Sequence, residues 1–202
     1  MPNIPFWVRI AALVVLMAVV AGVDLWYRRG RSTRWKEYLF ILLAGCAAAV
    51  FGSLTDLITS SISPDYFIYG KGLPADGIRW HAMGLGLAAG FSAGAIAGAL
   101  CLFVGMRRGD KASISLPKIA MLAWRPFLLA GVFAAVVPFA CAWFDPSGFV
   151  NQLSETRIGH AGAVRFLTVW HIHMGVYLGL AVGVVWMIVA IRRLSTASAL
   201  SP

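Results

Sequence analysis

Five long apolar runs constrain this chain more than any other feature. They cover about residues 8–27, 38–60, 82–105, 126–144 and 167–191. Each is near the roughly 20 residues that a helix needs to cross hydrocarbon. Lipid offers no hydrogen bonds to an open backbone, so such runs become helices that satisfy their own N–H and C=O groups. The expected fold is therefore all-α: an integral membrane bundle of about five transmembrane helices, forming one domain over residues 1–202. Composition agrees. Of 202 residues, 60% are hydrophobic and only 12% charged, with a mean hydropathy of +0.80. A water-soluble domain carries about a quarter charged residues.

The net charge of +9 would suggest nucleic acid in a soluble protein. Here the basic residues flank apolar runs, so the sequence points to topology and membrane lipid, not nucleic acid. The first loop holds Arg28, Arg29, Arg31, Arg34 and Lys36. The third holds Arg107, Arg108, Lys111 and Lys118, followed by Arg125, and the tail holds Arg192 and Arg193. The other side has only Arg9, Lys71, Arg79, Arg157 and Arg165. The positive-inside rule then places the N-terminus outside and the C-terminus in the cytoplasm. The charge after the first run also argues for a retained helix over a cleaved leader. Trp7, Trp26, Tyr27, Trp35, Tyr38, Tyr66, Trp80, Trp124, Trp143 and Trp170 fall near helix ends, as headgroup-level belts do.

Gly86, Gly90, Gly94 and Gly98 are spaced four apart in the third run, and Gly175, Gly179 and Gly183 in the fifth. Residues four apart share a helix face. A glycine face lets backbones approach closely, as in a glycine zipper. A duplicated helical hairpin is a second expectation. Phe40–Gly45 resembles Phe127–Gly131, Leu85–Gly90 resembles Leu178–Gly183, and Trp80-His81 resembles Trp170-His171. The three matches need different offsets, which continuous helices do not easily allow, so biased composition competes with duplication.

The polar groups gather on the outer side. Asp56 is the one acid well inside a run, and it needs a partner: Arg79, His81 or His173. His173 and Tyr177 are four apart and share a face. The candidate polar outer site is therefore Asp56, Arg79, His81, His171, His173 and Tyr177, forming an outward-opening polar pocket closed below by the glycine-packed helices. His81, His160, His171 and His173 are the only candidates for a transition metal, but no HxxxH or HExxH is present, and His171 and His173 point about 200° apart on a helix. A b-type haem between His81 and His171 is the other cofactor to weigh; none is assigned. Cys46, Cys101 and Cys141 form no CxxC and read as small buried apolar residues. Ser63-Pro64-Asp65 and Asp145-Pro146-Ser147 each read as a short helix start outside the membrane.

The segment Ile62-Ser63-Pro64-Asp65-Tyr66-Phe67, with the His173, Tyr177 and Gly179 pattern of the fifth run, resembles a group of small bacterial polytopic membrane proteins with an ISPEYF segment and a His-x-x-x-Tyr-x-Gly helix. The resemblance spans residues 40–190; this chain has Asp65 where the group has Glu. It implies multi-pass topology in a bacterial cytoplasmic (inner) membrane, and the group brings no activity with it. With no catalytic motif and short loops, the functional expectation is a non-enzymatic accessory or scaffold subunit, contacting lipid and other membrane subunits or itself. The alternatives are a haem- or metal-binding redox subunit and a small solute or ion transporter using Asp56.

The orientation has a direct test. With the three native cysteines replaced, Ser32→Cys and Ser113→Cys should resist impermeant thiol reagents in intact cells, and Ser147→Cys should react. Outside labelling at residue 32 would reverse the orientation.

Overall fold

The computed structural model describes residues 6–27, 35–106, 115–141 and 158–200, with residues 148 and 152 as isolated points. Among these nearly all residues are helical, apart from turns such as 71–77, and there is no strand. The helices are α1 (Phe6–Tyr27), α2 (Trp35–Ile62), α3 (Ile78–Met106), α4 (Leu116–Leu122), α5 (Trp124–Ala140) and α6 (Gly159–Leu200), with a π-helical turn at Tyr66–Gly70. The protein is an all-α helical bundle of membrane type. Four segments are long and apolar enough to cross a bilayer: Trp35–Ile62, Ile78–Gly105, Leu116–Ala140 and Gly159–Leu194. In α1 the apolar stretch Val14–Tyr27 is shorter.

The helices outrun the apolar stretches that predict them. Hydropathy marks the hydrocarbon crossing, whereas a helix continues into the headgroup zone because its backbone groups still need partners there. So α6 begins at Gly159, whose φ of 66° turns the chain into the helix, and His160 and Arg165 are helical. The fourth run starts earlier than expected, at α4, and is divided near Ala123. Pro126 has no N–H to offer a carbonyl one turn back, which explains the division.

Two antiparallel hairpins make the bundle, α2 with α3 and α5 with α6. In the first, the position where Gly86 would carry a Cβ is taken by the carbonyl of Gly52. Gly90 meets the Ala48 carbonyl in the same way, and Gly94 that of Ala44. In the second, Gly175 meets the Phe133 carbonyl, Gly179 that of Leu129, and Gly183 the Pro126 backbone. The first seam steps four residues at a time along both helices; the second steps four along α6, and four then three along α5. Backbone against backbone is the closest packing two helices can reach.

Of the sequence matches, Gly86 and Gly90 do share their seam role with Gly179 and Gly183, but the glycines of another do not correspond. Gly45 packs on Phe91, while its sequence counterpart Gly131 has nothing within 4 Å. The likeness lies in the packing mode.

Apolar clusters join the hairpins at both ends. At one end Phe40, Cys101, Leu102, Ile119, Met187 and Ile191 pack together, with α4 wedged in through Ile119. At the other, Tyr66 and Phe67 of the π-helical turn pack with Ala82, Phe166 and Val169. The outward surface is apolar: Leu39, Leu43, Val50, Leu54 and Ile58 form an exposed stripe on α2. Cys46 is exposed too, and only Cys101 is buried. The expectation of three buried thiols fails because a weakly polar thiol needs no shelter from lipid. Trp26, Tyr27, Trp35, Trp80, Trp124 and Trp170 are exposed, as belt residues should be, but Tyr66 is buried. Asp145-Pro146-Ser147, Trp143 and the side chain of Trp7 lie outside the described residues.

Leu at Gly90 or Gly179 must displace a facing backbone, so each substitution should cost at least about 1–3 kcal/mol in detergent unfolding, as overpacked cores do. Leu at outward-facing Val185, 60% exposed, should be neutral. Equal stability of all three variants would mean that the seams do not hold the hairpins.

Candidate functional site

The outer end of α2 is rich in hydroxyls that bond back into their own helix. Thr55 Oγ1 donates to the Phe51 carbonyl at 2.9 Å and Thr59 Oγ1 to that of Thr55 at 2.8 Å. Ser60 and Ser61 both donate to Leu57. These side chains are satisfied locally and leave Asp56 to find its partner elsewhere. It lies six residues before the end of α2, about 9 Å down the helix axis.

That partner is His173 of α6. Its Nε2 lies 2.9 Å from Asp56 Oδ1, and both residues are buried. The other ring nitrogen, Nδ1, is 2.8 Å from the Val169 carbonyl. A carbonyl only accepts, so Nδ1 carries a proton and donates it. The Asp56 contact then shares one proton: imidazolium donates to carboxylate, or the carboxylic acid donates to neutral imidazole. Either way the pair is net neutral, which makes its burial far cheaper than that of a lone charge.

Aromatic rings enclose the pair. Tyr66 stacks on His173 with centroids 4.9 Å apart and planes at 23°. Phe67 meets the same ring edge-on at 5.9 Å. The chain returns to deliver them. Ser63 N–H still bonds to the Thr59 carbonyl, Tyr66 N–H to that of Ser63, and Leu73 N–H to that of Phe67. Ser63 therefore extends α2, and its buried hydroxyl has no hydrogen-bond partner among the described residues, so it makes no side-chain cap. Burial raises the Tyr66 phenol well above its usual pKa, helped by Tyr177 and Asp56 nearby, and keeps it neutral. Lys71 Nζ lies 5.4 Å from the Tyr66 ring centre.

Other sequence candidates are placed differently. Tyr177, one turn along α6, has its ring 6.3 Å from that of His173. Arg79 and His81 are exposed on the first turn of α3, and among the described residues no bond joins either to Asp56 or His173. His160 is exposed as well. His171 is buried on the opposite side of α6 from His173, beside Trp170, and its Nε2 has no partner among the described residues. With His81 exposed and His171 buried on the α5-facing stripe, the two do not share one enclosed pocket. Among the described residues no three His, Cys, Asp or Glu side chains converge.

Between the hairpins runs a cavity of about 710 Å³. Thr55, Asp56, Lys71, His173 and Tyr177 line it at one end. The rest of the lining is alanine, glycine and larger apolar residues, reaching Phe40, Cys101 and Met187. The expected pocket was polar and closed from below. The observed one is mainly apolar and extends along the helices, because the glycine seams close each hairpin onto itself and not onto the other. The sequence reading assigns Tyr66 to the headgroup belt, and it gives Phe67, Phe51 and Phe127 no place in the site. An aromatic pair in a connection that should be polar was the available signal for the first two.

Comparison of the chain with protein-family models, curated proteins and solved structures returns no match.

The proton argument predicts that Asp56→Asn keeps a bond, because its amide N–H can donate to a neutral Nε2. It should cost less than about 1 kcal/mol, whereas Asp56→Leu, which strands a buried Nε2, should cost about 1–3 kcal/mol. Equal losses in detergent unfolding would refute the assigned proton positions.

Proposed function

We propose that this chain is a non-enzymatic accessory or scaffold subunit of a membrane complex, and that its core holds an amphipathic molecule between the two hairpins. The cavity carries the reading. It is of ligand size, apolar along most of its length, and ends in the Asp56–His173 pair with Tyr177 and Lys71 beside it. A long apolar cavity with one polar end matches a molecule with a tail and a head.

In this reading α1 is a fifth span. Its 22 residues give about 33 Å of helix, and its described side chains are all exposed or half-buried, leaving a free apolar side for lipid or a neighbouring subunit. The distribution of basic residues supports an outside N-terminus and a cytoplasmic C-terminus. The resemblance carried by Ile62–Phe67 and the His173–Gly179 segment supports a bacterial cytoplasmic membrane, and the spacing of Gly86, Gly90, Gly94 and Gly98 supports a glycine-zipper seam. The closed bond between Asp56 and His173 favours a structural role for Asp56 over an ion pathway.

Mass spectrometry of lipids co-purifying with the chain tests this. Ala93→Phe, which fills the cavity wall, should reduce the bound amphiphile severalfold, while Val185→Phe on the outer face should leave it unchanged. Equal amphiphile content in both variants and the native chain would remove the binding reading.

A further inference from the structure

The hairpin of α5 and α6 is one-sided in charge. Residues 115–141 and 158–200 contain no aspartate or glutamate. At one end of the bundle they carry Lys118, Arg125, Arg192 and Arg193. Lys118, Arg192 and Arg193 are exposed, whereas Arg125 is half-buried and lies deeper. Pro126 and the Arg125 carbonyl back onto Gly183 of α6, which precedes Arg192 by nine residues, about 13–14 Å of helix.

A guanidinium does not give up its proton in a protein, so a charge at this depth calls for a counter-charge. The chain supplies a π-face instead. Arg125 Cζ lies 4.5 Å from the centre of the Trp186 ring. Its Nε is buried with no hydrogen-bond partner, and no carboxylate pairs with the guanidinium among the described residues. Asp56, the acid inside the bundle, is bonded to His173.

The open side faces outward. Trp124 meets Trp186 edge-on, with centroids 6.3 Å apart and planes at 76°, and both indoles are exposed. Arg125, Trp124 and Trp186 do not line the cavity between the hairpins. The close backbone contact at Gly183 shuts the seam side. Trp186 covers one face of the guanidinium, which leaves the fork of Nη donors for a ligand. Indoles favour the headgroup zone, where lipid phosphates lie. Trp186 and Arg193 share a face of α6, so the same flank leads out to an exposed cation. Deeper in, Leu128 follows Trp124 on α5 and Val182 follows Trp186 on α6, each one turn away and each exposed.

We propose that Arg125, Trp124 and Trp186 form a site for the phosphate of an anionic phospholipid on the outer flank of the α5–α6 hairpin. The Arg125 fork donates to two phosphate oxygens, the bidentate geometry that suits guanidinium. The acyl chains run along Leu128 and Val182. A headgroup with an ammonium is disfavoured, because Arg193 and Lys118 stand at the same end and the hairpin has no acid to receive it. The site is separate from the cavity, so it stands whether or not the cavity holds an amphiphile.

The delipidated full chain in a non-ionic detergent can be titrated with phosphatidylglycerol and phosphatidylcholine, and bound lipid counted by native mass spectrometry. Phosphatidylglycerol should bind at least about tenfold more tightly. Arg125→Gln should weaken it at least about tenfold, as loss of a charge-assisted hydrogen bond does. Arg125→Lys, which keeps the charge but loses the fork, should fall between. Arg165→Gln at the other end and Ala93→Phe in the cavity should bind like the native chain. Inorganic phosphate at the lipid's concentration should not displace it. Equal affinity for the two lipids, or native affinity in both Arg125 variants, would overturn the proposal. Displacement by inorganic phosphate would make this a site for the free anion and remove the lipid. Loss of binding in Ala93→Phe alone would move the lipid to the cavity and leave this flank empty. If Arg125→Gln does not fold, the lysine variant and the preference between the two lipids decide the outcome.

Discussion

Helices in lipid are not driven together by the hydrophobic effect, since the surrounding tails are as apolar as leucine. What brings α2 to α3 and α5 to α6 is direct approach of backbones, with carbonyls of one helix occupying the space where glycines of the other lack a Cβ. This contact sets everything else. It fixes the register of each hairpin, and so fixes the depth of every side chain on it. Gly86 shows the link from packing to site. The space that admits the Gly52 carbonyl also leaves room for the Asp56 carboxylate; one side chain at residue 86 would collide with both.

The cavity follows from how the small residues are allotted. Each glycine stripe packs inside its own hairpin, and the faces between hairpins are mainly alanine, leucine and phenylalanine beside the edge of the α3 glycine stripe. These close fully only where large side chains gather, around Ile119 and Ile191 at one end and around Phe67 and Phe166 at the other. Between the two clusters the hairpins meet at the Phe51–Phe127 ring contact and at the Asp56–His173 bond, beside the cavity. Neither cluster is polar. The Asp56–His173 bond is a polar tie from one hairpin to the other across the gap.

The fold was legible because its causes are local to the sequence. A run of apolar residues must be helical in lipid, and a four-residue glycine period must mark a close face. Helix ends were less legible, since hydropathy reports the hydrocarbon boundary and α6 continues well past it. Of the site, Asp56 and His173 could be named from depth and cost alone: a buried acid needs a partner. Which partner depended on helix rotation and on where the 63–77 connection goes, and this excluded Arg79 and His81. Tyr66 was read as a headgroup aromatic because residue type and position near a helix end are the same for a belt tyrosine and for a lid folded back over the bundle. Nothing in the sequence distinguishes an apolar cavity from a filled core, because both are lined by the same alanines.

The same bond also explains why a polar pair is worth keeping where leucines would pack at no electrostatic cost. Buried ion pairs are weak contributors to stability, but they can select one arrangement among several apolar ones. Smooth alanine faces tolerate sliding. Moving α6 by one residue along its axis shifts His173 by about 1.5 Å and turns it about 100°, which breaks a 2.9 Å bond outright. The rings add to this selection, because Tyr66 stacks on the same imidazole that Val169 and Asp56 hold. The connection, α2 and α6 thus agree on a single geometry, and in it the second carboxylate oxygen lies beside Gly86 in the α2–α3 seam, so the one acid side chain meets α3 as well as α6.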